Sequence, residues 1–254
     1  MLSARGELDE ALRIRREEEL PVYEKLGDVR ERAVALGKIA DVLYARGELD
    51  EELRIRREEQ LPVYEKLGDV RSRAVTLGKI ADVLSARGEL DEALRIRRAE
   101  ELPVYEKLGD VRSRAVTLGK IADVLYARGE LDETLRIRRE EELPVYEKLG
   151  DVRSRAVTLG NIANVLYARG ELDEALRIQL EDEHPVYEKL GDVRTLLVGR
   201  ASVAVMLMKR QSAGDLAEAA GLLGQALVEA DRLRIPESGQ IRSLLDQLAE
   251  LQAK

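Results

Sequence analysis

Apolar residues recur along this chain in two alternating stretches, each with the spacing of one helix face. Over residues 69–109 the first stretch carries Ala74, Leu77, Ile80, Ala81 and Leu84 at three-and-four intervals and predicts a helix, A. Asp69, directly after Gly68, can cap its start by accepting backbone N–H bonds, and Gly88 can end it in a left-handed conformation. The second stretch begins near Glu89 and carries Leu90, Ala93, Leu94 and Ile96. It continues through Val104, Tyr105 and Leu108 to Gly109 and predicts a helix B antiparallel to the first.

The pattern repeats. The segment Ala4 to Asp9 returns beginning at Ala45, Ala86, Ala127 and Ala168, and Leu26-Gly-Asp returns at Leu67, Leu108, Leu149 and Leu190, always 41 residues on. A fixed period of that size means stacked units, each needing a neighbour to bury its apolar face. The expected fold is an all-α solenoid of antiparallel helical hairpins, with one partial N-terminal hairpin, five further hairpins and about twelve helices in all. Pro21, Pro62, Pro103, Pro144 and Pro185 fall inside helix B, where proline costs about 3 kcal/mol in a regular helix. A kink or break is expected there in every unit, either fitting helix B around its neighbours or setting the curvature of a binding surface.

Composition narrows the function classes. The chain has 254 residues, of which 44% are hydrophobic and 36% charged. That suits a large core, and no apolar run reaches the roughly 18 residues that span a bilayer. A soluble, cytoplasmic protein without a membrane partner is expected. There is no Cys, which removes disulfides, thiolate metal sites and Cys nucleophiles together. The 42 basic and 50 acidic residues give a net charge of -8, and the only aromatic residues are Tyr. Both features disfavour nucleic acid as a partner.

The residues resemble the tetratricopeptide repeat. Leu77, Ile80, Ala81 and Leu84 match the spacing of that family's first helix, Gly88 to Ala93 looks like its turn, and Ala93 matches the small residue of its second helix. Arg97 stands where the family has a large apolar residue, Pro103 comes early, and the repeat is 41 residues long. The chain is therefore similar to a long-helix variant. The resemblance implies a right-handed α-α superhelix whose concave wall is made mainly by A helices and binds peptides or extended segments.

The array is expected to span residues 1–235, with a divergent last unit. Met1 to Ala4 matches only the end of a helix A, so a longer parent protein is favoured, and Gln211 to Gly214 adds residues before helix B resumes at Asp215. The stripe Ile241, Leu244, Leu245, Leu248 and Leu251 makes residues 236–254 a capping helix.

If helix A buries its apolar face, a flanking stripe faces the groove by the family resemblance. In successive repeats the stripe presents Lys38, Asp41 and Tyr44, then Lys79 and Asp82, then Lys120, Asp123 and Tyr126, then Asn161, Asn164 and Tyr167. As a partner-binding surface, the Asn pair can donate to and accept from a peptide backbone while Lys and Asp select charged side chains. As plain surface, Lys79 and Asp82 are a solvated pair three residues apart. Gly78 and its equivalents either permit close approach of neighbouring backbones or clear space for a ligand. The run Arg95 to Arg98 lies among acids and is expected to form inter-repeat salt bridges.

His184, the only histidine, has no second His or Cys for a metal site and is read as structural. No catalytic set or phosphate-cradling loop can be assembled, so neither enzyme activity nor a cofactor is expected. The leading reading is a scaffold binding a protein or peptide. The alternatives are a regulatory array within a larger signalling protein and an end-to-end self-assembling module joined through the uncovered first hairpin.

Overall fold

The computed structural model describes residues 2–253, the side chains of 2–5 excepted, and every regular element among them is helical. Twelve helices follow in chain order: α1 (2–26), α2 (Val29–Arg46), α3 (49–67), α4 (Val70–Ala86), α5 (90–108) and α6 (Val111–Ala127) in one compact unit. The second compact unit holds α7 (131–149), α8 (Val152–Arg169), α9 (172–190), α10 (Val193–Arg210), α11 (Asp215–Leu233) and α12 (Glu237–Gln252). The even-numbered helices α2 to α10 are the A helices, and the odd-numbered helices are the B helices.

The expected caps are formed. Asp69 and Asp110 each accept the N–H three residues on, from Ser72 and Ser113, at 3.0 Å. Those N–H bonds are the main reason both carboxyls are held below the usual carboxylate range. Gly88 and Gly109 end their helices at φ of 80° and 63°, a region closed to most side chains. Gly6, the first copy of the Gly88 position, behaves differently and stays inside the helix Leu2–Ile14.

The proline does not break helix B. In five B helices a π-helical stretch precedes it, as at Arg97–Glu101 before Pro103, and the backbone stays right-handed throughout. The Leu102 N–H reaches back five residues to the Arg97 carbonyl. Proline has no N–H to offer the preceding turn, and a wider turn accommodates that loss without a break.

The predicted seam is buried. Ala74, Leu77, Ile80, Ala81 and Leu84 are each at most 4% exposed, and in the first unit Leu12, Leu36, Ile39, Leu43 and Ile55 join α1, α2 and α3. In the second unit Leu166, Leu197, Leu207 and Leu223 belong to one core, and α12 adds Ile241 and Leu248 to it. Each helix contributes one apolar stripe to a shared seam, which is how hairpins too thin for a core of their own become stable.

The arginine run divides its partners. Arg95 pairs within its own helix, with Glu92 at 2.8 Å and Glu100 at 3.1 Å, and Arg97 turns inward. Only the third position works between repeats, as where Arg139 of α7 meets Glu174 of α9 at 2.6 Å. Most inter-repeat bridges come from elsewhere, including Arg71 to Asp110 and Arg87 to Asp50.

Candidate functional site

In two repeats a buried arginine from helix B anchors the stripe on helix A. Arg97 is 2% exposed although it replaces an apolar residue. Its guanidinium donates to Asp82 Oδ1 at 2.7 Å, to Glu101 Oε2 at 2.8 Å and to the Gly78 carbonyl at 3.3 Å. Thr117 of the next A helix donates to Glu101 Oε1 at 3.1 Å. Burial nevertheless pushes the Glu101 carboxyl upward, with the Arg97 charge opposing it. Arg56 repeats the arrangement with Glu52, Gln60 and Asp41, and Arg138 bonds Glu142 at 2.9 Å.

The same side chains explain the helix-interior glycine. A Cβ at Gly78 would come 2.6 Å from Glu101 Oε1, and Gly37 and Gly160 face Gln60 and Glu183 in the same way. The space therefore accommodates helix B's own acid or amide side chain, where a neighbouring backbone was one expectation. That local packing offsets the roughly 1 kcal/mol that glycine costs inside a helix.

The stripe residues come together as clefts between successive A helices. In the first unit Lys38, Asp41 and Lys79 line a cleft of about 350 Å³, with Arg56 and Gln60 in its wall. Tyr44, Asp82, Lys120 and Asp123 line another of about 240 Å³. Lys79 pairs with Asp41 at 3.4 Å and Lys120 with Asp82 at 3.3 Å. The lysine thus meets the acid of the preceding A helix, where a pair on its own helix was expected. Tyr126 is exposed.

The second unit departs from this scheme. Asn161 and Asn164 line a cleft of about 270 Å³ together with Gln179, Glu183, Tyr187 and Ser202. Lys, Asp and Arg of the other repeats are here Asn161, Asn164 and Gln179, so three charges have become amides. Tyr167 lies outside the wall of that cleft and carries Lys209 Nζ 4.3 Å from its ring centre, a cation–π contact. The buried Arg and Glu positions, absent from the sequence-based candidates, had one signal: a charge at an apolar register position.

Residues 155–182 match the family model described as tetratricopeptide repeat. That segment is similar to a tetratricopeptide repeat. No characterised protein matches the sequence at a significant level. Among solved structures, BtubC (BKLC) from P. vanneervenii aligns with a TM-score of 0.69 at 15% identity, over 95% of this chain and 90% of that one. A putative kinesin light chain from Podosopora anserina, with nearly identical TPR-like repeats, aligns with a TM-score of 0.59 at 20% identity over 74% and 90%. A Rap protein complexed with Competence and Sporulation Factor aligns with a TM-score of 0.66 at 17% identity over 98% and 73%. These likenesses fix the fold as an all-α superhelical repeat. Repeat proteins of this kind mediate protein–protein interaction. Among the described residues, no helix is long and apolar enough to cross a membrane, and no group of His, Asp and Glu is arranged to hold a metal.

Proposed function

We propose that this chain is a protein-interaction module that holds an extended peptide, or an extended segment of a partner protein, along the concave A-helix surface. The observation that carries the reading is the cleft between α8 and α10. Where other repeats tie Lys, Asp and Arg to one another, Asn161 and Asn164 present amides with no side-chain hydrogen bond among the described residues. An unengaged amide can both donate to and accept from a peptide backbone, so it supplies hydrogen bonds without demanding charge. Asn161, Asn164 and Gln179 of the cleft fall within the segment that matches the family model, and a structure of the same fold was solved with a bound factor.

Selection of random extended peptides against the immobilised full chain tests this, followed by fluorescence anisotropy of the enriched peptides. Asn161→Ala with Asn164→Ala should weaken binding at least tenfold while the melting temperature stays unchanged. Unchanged affinity, or no enriched peptide, overturns the reading.

A further inference from the structure

Glu183 is a buried acid that has lost the partners its counterparts keep. In α5 and α7 the equivalent acids, Glu101 and Glu142, are held by Arg97 and Arg138 at 2.8 and 2.9 Å. Thr117 and Thr158 add bonds at 3.1 and 3.0 Å. In α9 the arginine is Gln179, and in α10 the threonine is Gly199, yet the acid is retained. Glu183 is 9% exposed, and its Oε2 is buried with no hydrogen-bond partner.

One further acceptor and a buried histidine accompany it. Gln179 Oε1, one turn earlier, is buried without a donor although its Nε2 donates to Ser202 at 3.2 Å. His184 Nε2 is also buried and unpartnered, in space left by Gly199. Burial, and then the Arg200 charge, push the His184 pKa down against a hydrogen bond to the Gly199 backbone, so its imidazole is neutral. A carboxyl oxygen and an amide oxygen one turn apart both lack a donor. Buried acceptors are rarely left so, because each forfeits its hydration. Gln179 and Glu183 line the 270 Å³ cleft, whose wall also holds Asn161 and Asn164.

We propose that this cleft takes a cationic side chain of the bound peptide, a guanidinium or primary ammonium, with Glu183 as its counter-ion and Gln179 Oε1 as a second acceptor. The ligand then supplies from outside the cation that Arg97 and Arg138 supply from within. A guanidinium fits this role well, because its planar fork reaches a carboxylate and a neighbouring oxygen together. With Asn164 in place of aspartate, the incoming charge meets one acid where Arg97 meets two. The proposal rests on the peptide-binding reading and names the side chain that this part of the surface selects.

The test uses the full chain carrying 13C-carboxyl glutamate. N-acetyl-arginine methylamide is titrated against its neutral isostere, N-acetyl-citrulline methylamide, and against agmatine. The arginine probe should move the Glu183 resonance saturably, with citrulline at least tenfold weaker and Glu183→Gln abolishing the difference. Gln179→Arg, which installs the guanidinium of the other repeats, should fold and block the probe. Equal binding of arginine and citrulline probes, or no Glu183 response, overturns the proposal. Agmatine binding more tightly than every selected peptide overturns the peptide source and assigns the cleft to a free cation. Selected peptides that need Asn161 and Asn164 yet carry no basic residue leave the interaction reading standing and sink this one.

Discussion

Asp82 Oδ1 lies 2.7 Å from Arg97 Nη2 and accepts its hydrogen bond, joining the exposed stripe of α4 to the interior of α5. The same oxygen lies 3.3 Å from Lys120 Nζ on α6. One carboxylate therefore fixes the hairpin and leans on the next repeat, which makes the charged stripe of the first unit part of the architecture.

Removing the buried arginine alone should be costly. Arg97→Ala leaves Glu101 desolvated without its cation, and breaking a buried pair costs about 3 to 5 kcal/mol. Replacing Arg97 by Met together with Glu101 by Leu should recover most of that loss, because the pair's attraction is largely cancelled by its own desolvation. Urea denaturation of the two variants checks this, and equal losses in both would contradict it.

Glu183 should give stability a particular pH dependence. Burial raises its carboxyl to about 7, well above an ordinary glutamate, so the folded chain holds this proton more tightly than the unfolded one. Its contribution is fully present below the unfolded value and is lost as pH rises through the folded value. Glu183→Gln should therefore gain on the natural chain between about pH 4.5 and pH 7, by on the order of 3 kcal/mol, and then hold level. Denaturation series of both proteins against pH measure the difference, and a constant offset would contradict the account.

The helix-interior glycines should separate into two kinds. Gly78→Ala drives a methyl into the Glu101 carboxyl and should destabilise by about 1 to 3 kcal/mol despite better helix propensity. Gly221 in α11 has nothing within 4 Å of an added Cβ, so Gly221→Ala should stabilise by up to about 1 kcal/mol. Thermal melts decide the sign of each change.

Leu118 is 3% exposed on the buried face of α6, and Leu118→Ala should cost about 2 to 5 kcal/mol by opening a cavity. Chemical denaturation reads it directly, and an unaltered transition would contradict the placement of the seam.

Helices, caps and seam were legible because each is written locally. A three-and-four spacing fixes the buried face, an aspartate after glycine fixes the start, and a glycine at left-handed φ fixes the end. Features that depend on two helices at once were not legible in this way. Amphipathic reasoning sends charges outward, so it missed Arg97 and Glu101, which are tolerated inside only because Gly78 and Thr117 sit on neighbouring A helices. Pairing by sequence distance joined Lys79 to Asp82, whereas stacking sets Lys79 against Asp41. Proline penalties assume a regular α-helix, and the π turn before Pro103 removes that premise. At the candidate site the departures at Asn161 and Asn164 stood out from the repeat. The consequence of Gln179 for Glu183 emerged only once the Arg138 to Glu142 pair was visible in space.

Backbone amide mapping of a selected peptide on the isotopically labelled full chain tests the central claim most directly. Perturbations should concentrate on the exposed stripe of α8 and its neighbour α10, at Val157, Asn161, Asn164 and Ser202. Perturbations confined to the outer faces of the B helices, around Glu92 and Arg95, would contradict the account.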